Sequence, residues 1–404
     1  MSSAATCGGL ANEPRVQMPY RIGLVSEACG GGIGKHVLDI AEGMATAGHD
    51  LLLVYSENRV DHGFKERLDR RAEFGYTAVP IAMRRSPGIR DIRAIEELRR
   101  AVRQFGQLDI LHGHSSKGGA LARLAHWGLA RAVVYTPNAW YTMNPELTPF
   151  ARVVFGGVER ALATMTECII VTSAEERAHA CDLGIDPKKM VEIANGVELW
   201  DWTDVMNTRC RVRRQYGIAD DAVVVGFLGR FVRQKAPDKA VRVIAQLLSL
   251  HDDITPIMAG NGDEAERTRA MAKELGVENR IIWLAEVRGR DIIPAFDIFL
   301  MTSLYEGFPY ALIEALNCGC AAVTTSVGGA SACVRNGVNG FVVDGDETSL
   351  LVAALERTLE ILRNRAQVRH VSRSIAEEFS RERMVKRTLD LYDAVAGETA
   401  RVRP

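Results

Sequence analysis

The 404-residue chain has no long apolar run, and nothing in it approaches the roughly 20 residues that a membrane-spanning helix needs. Neither charge is in excess. With 50 basic against 51 acidic residues no field extends over the whole surface, which excludes nucleic acid as a principal partner. The eight cysteines form no CxxC pair and no regular spacing, so a zinc ribbon or disulfide framework is not expected; buried, reduced thiols in a cytoplasmic protein are. Residues 1–17 are rich in Ser, Ala and Gly and lack an apolar centre, reading as a disordered leader and not a secretion signal.

What is present is an alternation of short apolar runs with helical patterns from end to end, the signature of parallel sheets covered by helices on both faces. In the first half the strand candidates are 21–27, 50–56, 108–114, 132–138, 168–173 and 190–195; in the second they are 222–230, 254–260, 280–286, 298–303, 321–326 and 340–345. The rhythm breaks over 198–215, and the length suits two cores. The expected organisation is an α/β protein with a Rossmann-like domain over 18–200, a linker over 201–218, a second Rossmann-like domain over 219–375 and a helical tail over 376–404. Two such sheets facing each other make a cleft at their joint carboxyl edges, where ligands bind.

Residues 303–320 read SLYEGFPYALIEALNCGC, with Glu306 and Glu314 around a Gly-Phe-Pro loop that follows a strand and opens a helix. Pro309 suits the first helical position, which places Glu306 on the loop and Glu314 about a turn and a half inside. Both acids reach one sheet edge, and the amides of Gly307 and Phe308 are aimed there too. One carboxylate can accept hydrogen bonds from the hydroxyls of one sugar while the other grips a second ring about a phosphate length away, the demand of a sugar-nucleotide ligand. Just past the first strand of the second half, Arg230 and Lys235 bring a planar fork and a mobile point charge within reach of a leaving diphosphate, with Arg233 as a substitute in the same loop. The alternative is a solvated pair on a loop. In GGGIGK (30–35), Gly31 and Gly32 offer amides to a phosphate without Cβ obstruction, although the spacing is not that of a P-loop and no acid marks a dinucleotide ribose.

These residues resemble the E-x7-E signature of glycosyltransferase family 4, retaining enzymes with the GT-B fold. NGVE (195–198), GRFVRQK (229–235), GNGDE (260–264) with Gly260 and Asn261, and VGGASACVRNGVNGFVV (327–343) follow in the family's order, so the likeness spans about 20–345. The resemblance implies that Glu314 holds the ribose, that Glu306 and the amides after it hold the transferred sugar, and that Arg230 and Lys235 stabilise the diphosphate of a UDP- or GDP-sugar. It further implies an oxocarbenium-like ion pair attacked on the face the diphosphate leaves, and a last helix that crosses back onto the first domain. No cofactor and no metal ion are expected; Asp344-Gly345-Asp346 reads as a turn.

One departure is Asn138, in Thr136-Pro137-Asn138, where many relatives have His. Asn cannot exchange protons near neutral pH. His112 and His114 share a strand face nearby, either as stand-ins, as half a metal site, or as neutral histidines in the cleft floor. Trp140 and Tyr141 form either an acceptor-side wall that stacks on sugar or lipid, or ordinary loop packing. The stretch 84–103 carries seven arginines, and the helix it enters puts Ile92, Ile95, Leu98 and Val102 on one side: a core-facing stripe, or a basic face resting on an anionic membrane. The expected activity is hexosyl transfer to a saccharide acceptor, most simply one linked to polyprenyl diphosphate for a surface polysaccharide, on the inner face of the plasma membrane. Alternatives are a nucleotide-sugar epimerase or a non-catalytic nucleotide-sugar-binding subunit.

Overall fold

The computed structural model describes residues 19–345 and 347–402, so the expected leader and Asp346 lie outside it. The first sheet contains β1 (Arg21–Ser26), β2 (Asp50–Tyr55), β3 (Thr77–Pro80), β4 (Leu108–His114), β5 (Ala130–Thr136), β6 (Cys168–Val171) and β7 (Met190–Glu192), in the order 3-2-1-4-5-6-7. The second contains β8 (Val223–Leu228), β9 (Ile254–Ala259), β10 (Ile282–Leu284), β11 (Ile298–Met301), β12 (Ala321–Thr325) and β13 (Gly340–Val343), in the order 10-9-8-11-12-13. All pairings are parallel. Helices on both faces bury nearly every residue of the central strands, which is why these strands read as unbroken Val, Ile and Leu runs. β3 escaped the sequence reading because it is a four-residue edge strand, half exposed and ending in Pro80.

The chain crosses from the first lobe to the second once and returns once, and the crossings lie side by side. Val197 N donates to Phe379 O (2.9 Å) and Arg381 N to Val197 O (2.8 Å). A side chain at Gly196 would come within 2.3 Å of Ser380 O, so only glycine permits this approach. The final helix, Arg381–Val402, packs on helix Gly31–Thr46 of the first lobe, and Tyr392 OH lies 2.6 Å from His112 Nδ1.

The junction segment is mostly a helix, Trp202–Gln215, fastened to the second lobe. Its Arg209 and Arg213 meet the two oxygens of buried Asp297 at 2.7 and 2.6 Å, and Arg365 adds a third contact at 2.6 Å. Helix Arg90–Phe105 buries Ala94, Leu98, Ala101 and Val102, whereas Ile92 is 59% exposed, contrary to the stripe expected for it. At roughly 100° per residue, Ile92 lies well outside the arc of those four. The Cys318-Gly319-Cys320 segment is not within a helix: Cys318 is the C-cap, Gly319 takes the left-handed conformation and Cys320 leads into β12. Burial pushes the Cys29 and Cys320 thiols up to about 12, so they are inert at neutral pH.

Asp297→Ala leaves Arg213 buried without its carboxylate, and should lower unfolding stability by about 3–5 kcal/mol in chemical denaturation. A loss below about 1 kcal/mol would show that the three arginines do not depend on it.

Candidate active site

The loop after β8 is held by β9 and β11. Phe231 N donates to Asn261 O (2.8 Å), and Gly260 brings its backbone so near Gly229 O that a Cβ would lie 1.9 Å from it; its φ of 143° is open only to glycine. Beyond Arg230 the chain makes a tight turn over Arg233–Lys235, and Thr302 Oγ1 donates to Ala236 O (2.9 Å) and Lys235 O (3.1 Å). Lys235 Nζ is thereby placed 2.5 Å from Glu306 Oε1.

Glu306 follows β11, and helix Tyr310–Asn317 carries Glu314 inward. Pro309 is the N-cap of that helix and not its first residue: its carbonyl accepts from Leu312 N (3.2 Å) and Ile313 N (3.4 Å), so helical geometry begins one residue later than expected. Among the described residues the amides of Gly307 and Phe308 have no hydrogen-bond partner in the protein. Phe308 is a wedge that packs on Phe379 at a ring separation of 5.0 Å, while its carbonyl accepts from Asn195 Nδ2 (2.7 Å) of the opposite lobe.

The first lobe closes on this loop. Lys35, from GGGIGK, reaches across and pairs with Glu314 Oε1. Burial pulls its ammonium pKa down, but the Glu314 and Asp39 carboxylates outweigh that and leave it above normal. Gly31 donates its amide to Asp61 Oδ2 (2.6 Å) and faces Arg230, with 3.6 Å from a Cβ position to Nε; Gly32 faces the Tyr310 ring at 3.2 Å in the same sense. Arg230 has no carboxylate partner among the described residues. Burial and nearby Arg59 lower its pKa, partly opposed by Glu306, and it remains a cation. Glu175 receives Gly329 N and Ser331 Oγ, each at 3.1 Å, and buried Glu176 receives Thr172 N (2.6 Å) and the amide of Ala139.

Strain and unsatisfied polar groups gather at the same edges. Ser115, Asn138 and Ala139 have φ values of 59°, 53° and 77°. His114 has neither ring nitrogen bonded, and Ser115 Oγ, Ser303 Oγ, Asn195 Oδ1, Glu27 Oε1 and His36 Nε2 are also buried without partners. Such groups persist where a ligand or a function over-determines them.

Two sheets meeting at their carboxyl edges around this loop agree with the sequence of the chain as a whole. The profile described as Glycosyltransferase Family 4 matches residues 30–200, and that described as Glycosyl transferases group 1 matches 209–374. A D-inositol 3-phosphate glycosyltransferase of Salinispora tropica is 30% identical over 326 residues, 75% of this chain and 67% of that protein. The chain belongs to glycosyltransferase family 4. The GPI3 subunit of phosphatidylinositol N-acetylglucosaminyltransferase from Saccharomyces cerevisiae is 24% identical over 396 residues, 92% of this chain and 81% of its own. Among solved structures, HepE of Anabaena in complex with UDP and glucose superposes with a TM-score of 0.78 at 20% identity, covering 93% of this chain and 100% of that one. Sucrose-phosphate synthase of Thermosynechococcus elongatus gives 0.75 at 19% identity over 94% and 100%. The fold of this family 4 glycosyltransferase is therefore GT-B.

Several sequence expectations need correction within that frame. Trp140 is fully buried, donates Nε1–H to Glu176 O (3.2 Å) and packs edge-on against Tyr135, so it cannot stack on an acceptor. Tyr141 stays 37% exposed beside Phe155. Arg233 is no substitute in the clamp, because it points outward to Glu146 of the other lobe at 2.5 Å. His112 spends both nitrogens on Tyr392 OH and Thr136 Oγ1, which removes it as a metal ligand, and His114 stacks on it at 4.0 Å beneath the surface. Lys35, Glu175, Glu176 and Asn195 were missed as site residues. For Lys35 the signal was present in GGGIGK, but only folding supplies its partner 279 positions away.

Burial lowers the His36 pKa from 6.5 to about 4 and takes His112 and His114 well below normal. Above 6.5 the imidazole is neutral in both folded and unfolded chains; below it only the unfolded chain gains the proton, so stability falls as pH drops towards 4. Buried Glu176 and Asp39, raised by burial, act in the opposite sense. Comparing wild type with His36→Gln isolates the imidazole: the wild type should lose about 2 kcal/mol more between pH ~7.5 and pH ~5. Parallel pH profiles would mean that His36 is protonated in the folded protein.

Proposed function

We propose that the protein is a retaining, metal-independent hexosyltransferase that uses a UDP- or GDP-sugar and a saccharide or lipid-linked saccharide acceptor, in surface polysaccharide synthesis at the cytoplasmic face of the membrane. The observation that carries this reading is the meeting of Glu306, Lys235, Arg230, Gly31 and Glu314 in one interlobe cleft. HepE, which shares the fold, is a complex with UDP and glucose in one crystal and with UDP-glucose in another.

Breaking the glycosyl–phosphate bond builds negative charge on the diphosphate, and Arg230 with Lys235 offers preorganised positive charge there. These cations do the work that a divalent ion does in other transferases. Glu314 accepts the ribose hydroxyls once Lys35 shifts from it, and Glu306 with the unpartnered amides of Gly307 and Phe308 holds the transferred sugar. The acids position the ligand, in contrast to the acid–base pair of a glycosidase, which sits across the scissile bond. The departing phosphate takes the acceptor proton, so the step needs no histidine at position 138. Asn138 favours one competing reading, a nucleotide-sugar-binding subunit without turnover. An epimerase needs acid and base groups at the sugar, which the fully buried histidines do not present.

The purified protein should consume a UDP- or GDP-sugar in the presence of EDTA, with product formed only when an acceptor is added. Lys235→Ala should lower kcat by about 10²-fold or more, and Glu306→Ala should abolish transfer. Glu314→Ala should instead raise the nucleotide Kd by roughly tenfold, read from the ligand-induced rise in melting temperature. Full activity in Glu306→Ala removes that residue from the mechanism. Donor binding without turnover in the wild type, with activity gained in Asn138→His, supports the binding-subunit reading.

A further inference from the structure

Helix Pro149–Ala163 is built inside out. Its inner face is set by Gly156 against Leu183, by Leu162 and Ala163, and by Glu159, whose carboxylate is taken by Arg123 (2.8 Å) and Tyr135 OH (3.2 Å). The opposite face, turned to solvent, carries Phe150, Val153, Val154 and Val158 at 79, 74, 44 and 48% exposure. That i, i+3, i+4, i+8 spacing makes one continuous stripe, with the Cβ-free Gly157 and small Ala161 between its members. Ordinary soluble helices put such a stripe in the core, so an exposed one marks an interaction surface.

The charge around the stripe identifies the partner. The only acid of the helix is Glu159, turned inward; of its two exposed arginines Arg160 borders the stripe, whereas Arg152 lies on the far side of the helix and donates to Asn144 O (3.2 Å). Helix Ser115–Ala125 packs between it and helix Arg90–Phe105, whose start adds Ile89 (84% exposed) and Ile92 (59%) beside exposed Arg84, Arg85, Arg90 and Arg93. Asp91 there is tied to Lys117, and Glu97 accepts from Ala82 N, leaving Glu96 as the exposed, unengaged acid. Both outer helices begin at the carboxyl edge of the first sheet, beside the cleft. A second copy docked on this surface about a twofold axis would set arginines against arginines, whereas an anionic bilayer neutralises them and accepts the apolar stripe.

We propose that this face of the first lobe, centred on Phe150, Val153, Val154 and Val158 and flanked by arginines, is a docking surface for an anionic phospholipid bilayer. It extends the reading of the protein as an enzyme for a lipid-linked acceptor, since a bilayer held here lies next to the cleft mouth.

The full chain, sedimented with phosphatidylcholine vesicles with or without about half phosphatidylglycerol, should bind only the anionic ones and should release as NaCl rises from about 50 to about 500 mM. The triple variant Phe150→Ser, Val153→Ser, Val154→Ser should bind at least about tenfold less at the same lipid concentration and keep the wild-type melting shift with UDP. Equal binding by variant and wild type, or no binding by wild type, overturns the proposal. So does a wild-type dimer that the triple variant converts to monomer without changing vesicle binding. Vesicle binding by a protein that fails to transfer sugar would instead overturn the reading of its function and leave the surface standing.

Discussion

A carboxylate withdrawn from water needs a cation or several hydrogen-bond donors beside it, and the cleft supplies a cation to Glu306 and to Glu314 in two different ways. Lys235 answers Glu306 from within the same lobe, so that pair is set when the second domain folds. Lys35 answers Glu314 from the other lobe, so the second pair exists only while the lobes face each other. Charge compensation at Glu314 is in this way tied to lobe position. A ligand that brings its own donors to Glu314 competes with Lys35 directly. One that brings anionic oxygens to Lys35 and Arg230 works in the same direction.

The rest of the architecture serves that juxtaposition. Parallel strands joined through helices bring every βα loop of a sheet to one edge, and the paired crossings at Val197 and Ser380 hold the two edges face to face. Contacts of Asn195 with the Phe308 carbonyl and of Glu175 with the Gly329 amide add interlobe hydrogen bonds to second-lobe backbone, which fix register with little dependence on side-chain identity there, and the Ser331 hydroxyl adds one more to Glu175. The positive φ angles at Ser115, Asn138 and Ala139 sit on the facing edge of the first sheet. Their cost is borne where Glu176 gathers the Ala139 amide and the Thr172 amide into one buried carboxylate.

Position 138 illustrates how such an edge tolerates change. Asn is among the few residues that accept a left-handed backbone, and its side chain reaches Thr136 O at 3.5 Å, so the loop keeps its shape without an imidazole. Three other imidazoles of the first lobe, at 36, 112 and 114, are kept neutral by burial. They fill the floor of the first lobe, and His112 binds the final helix through Tyr392.

Sequence alone determined the two-lobed parallel α/β architecture, the strands except β3, and the segments at 30–35, 229–235 and 303–314 that meet in the cleft, because apolar period, glycine and proline act locally. Tertiary structure alone decided which cation answers which acid, that Arg233 turns away to Glu146, that Trp140 is buried, and that Phe150 and its neighbours face solvent. Those outcomes depend on the packing of residues distant in the chain, and neither local propensity nor hydrophobic period carries that information.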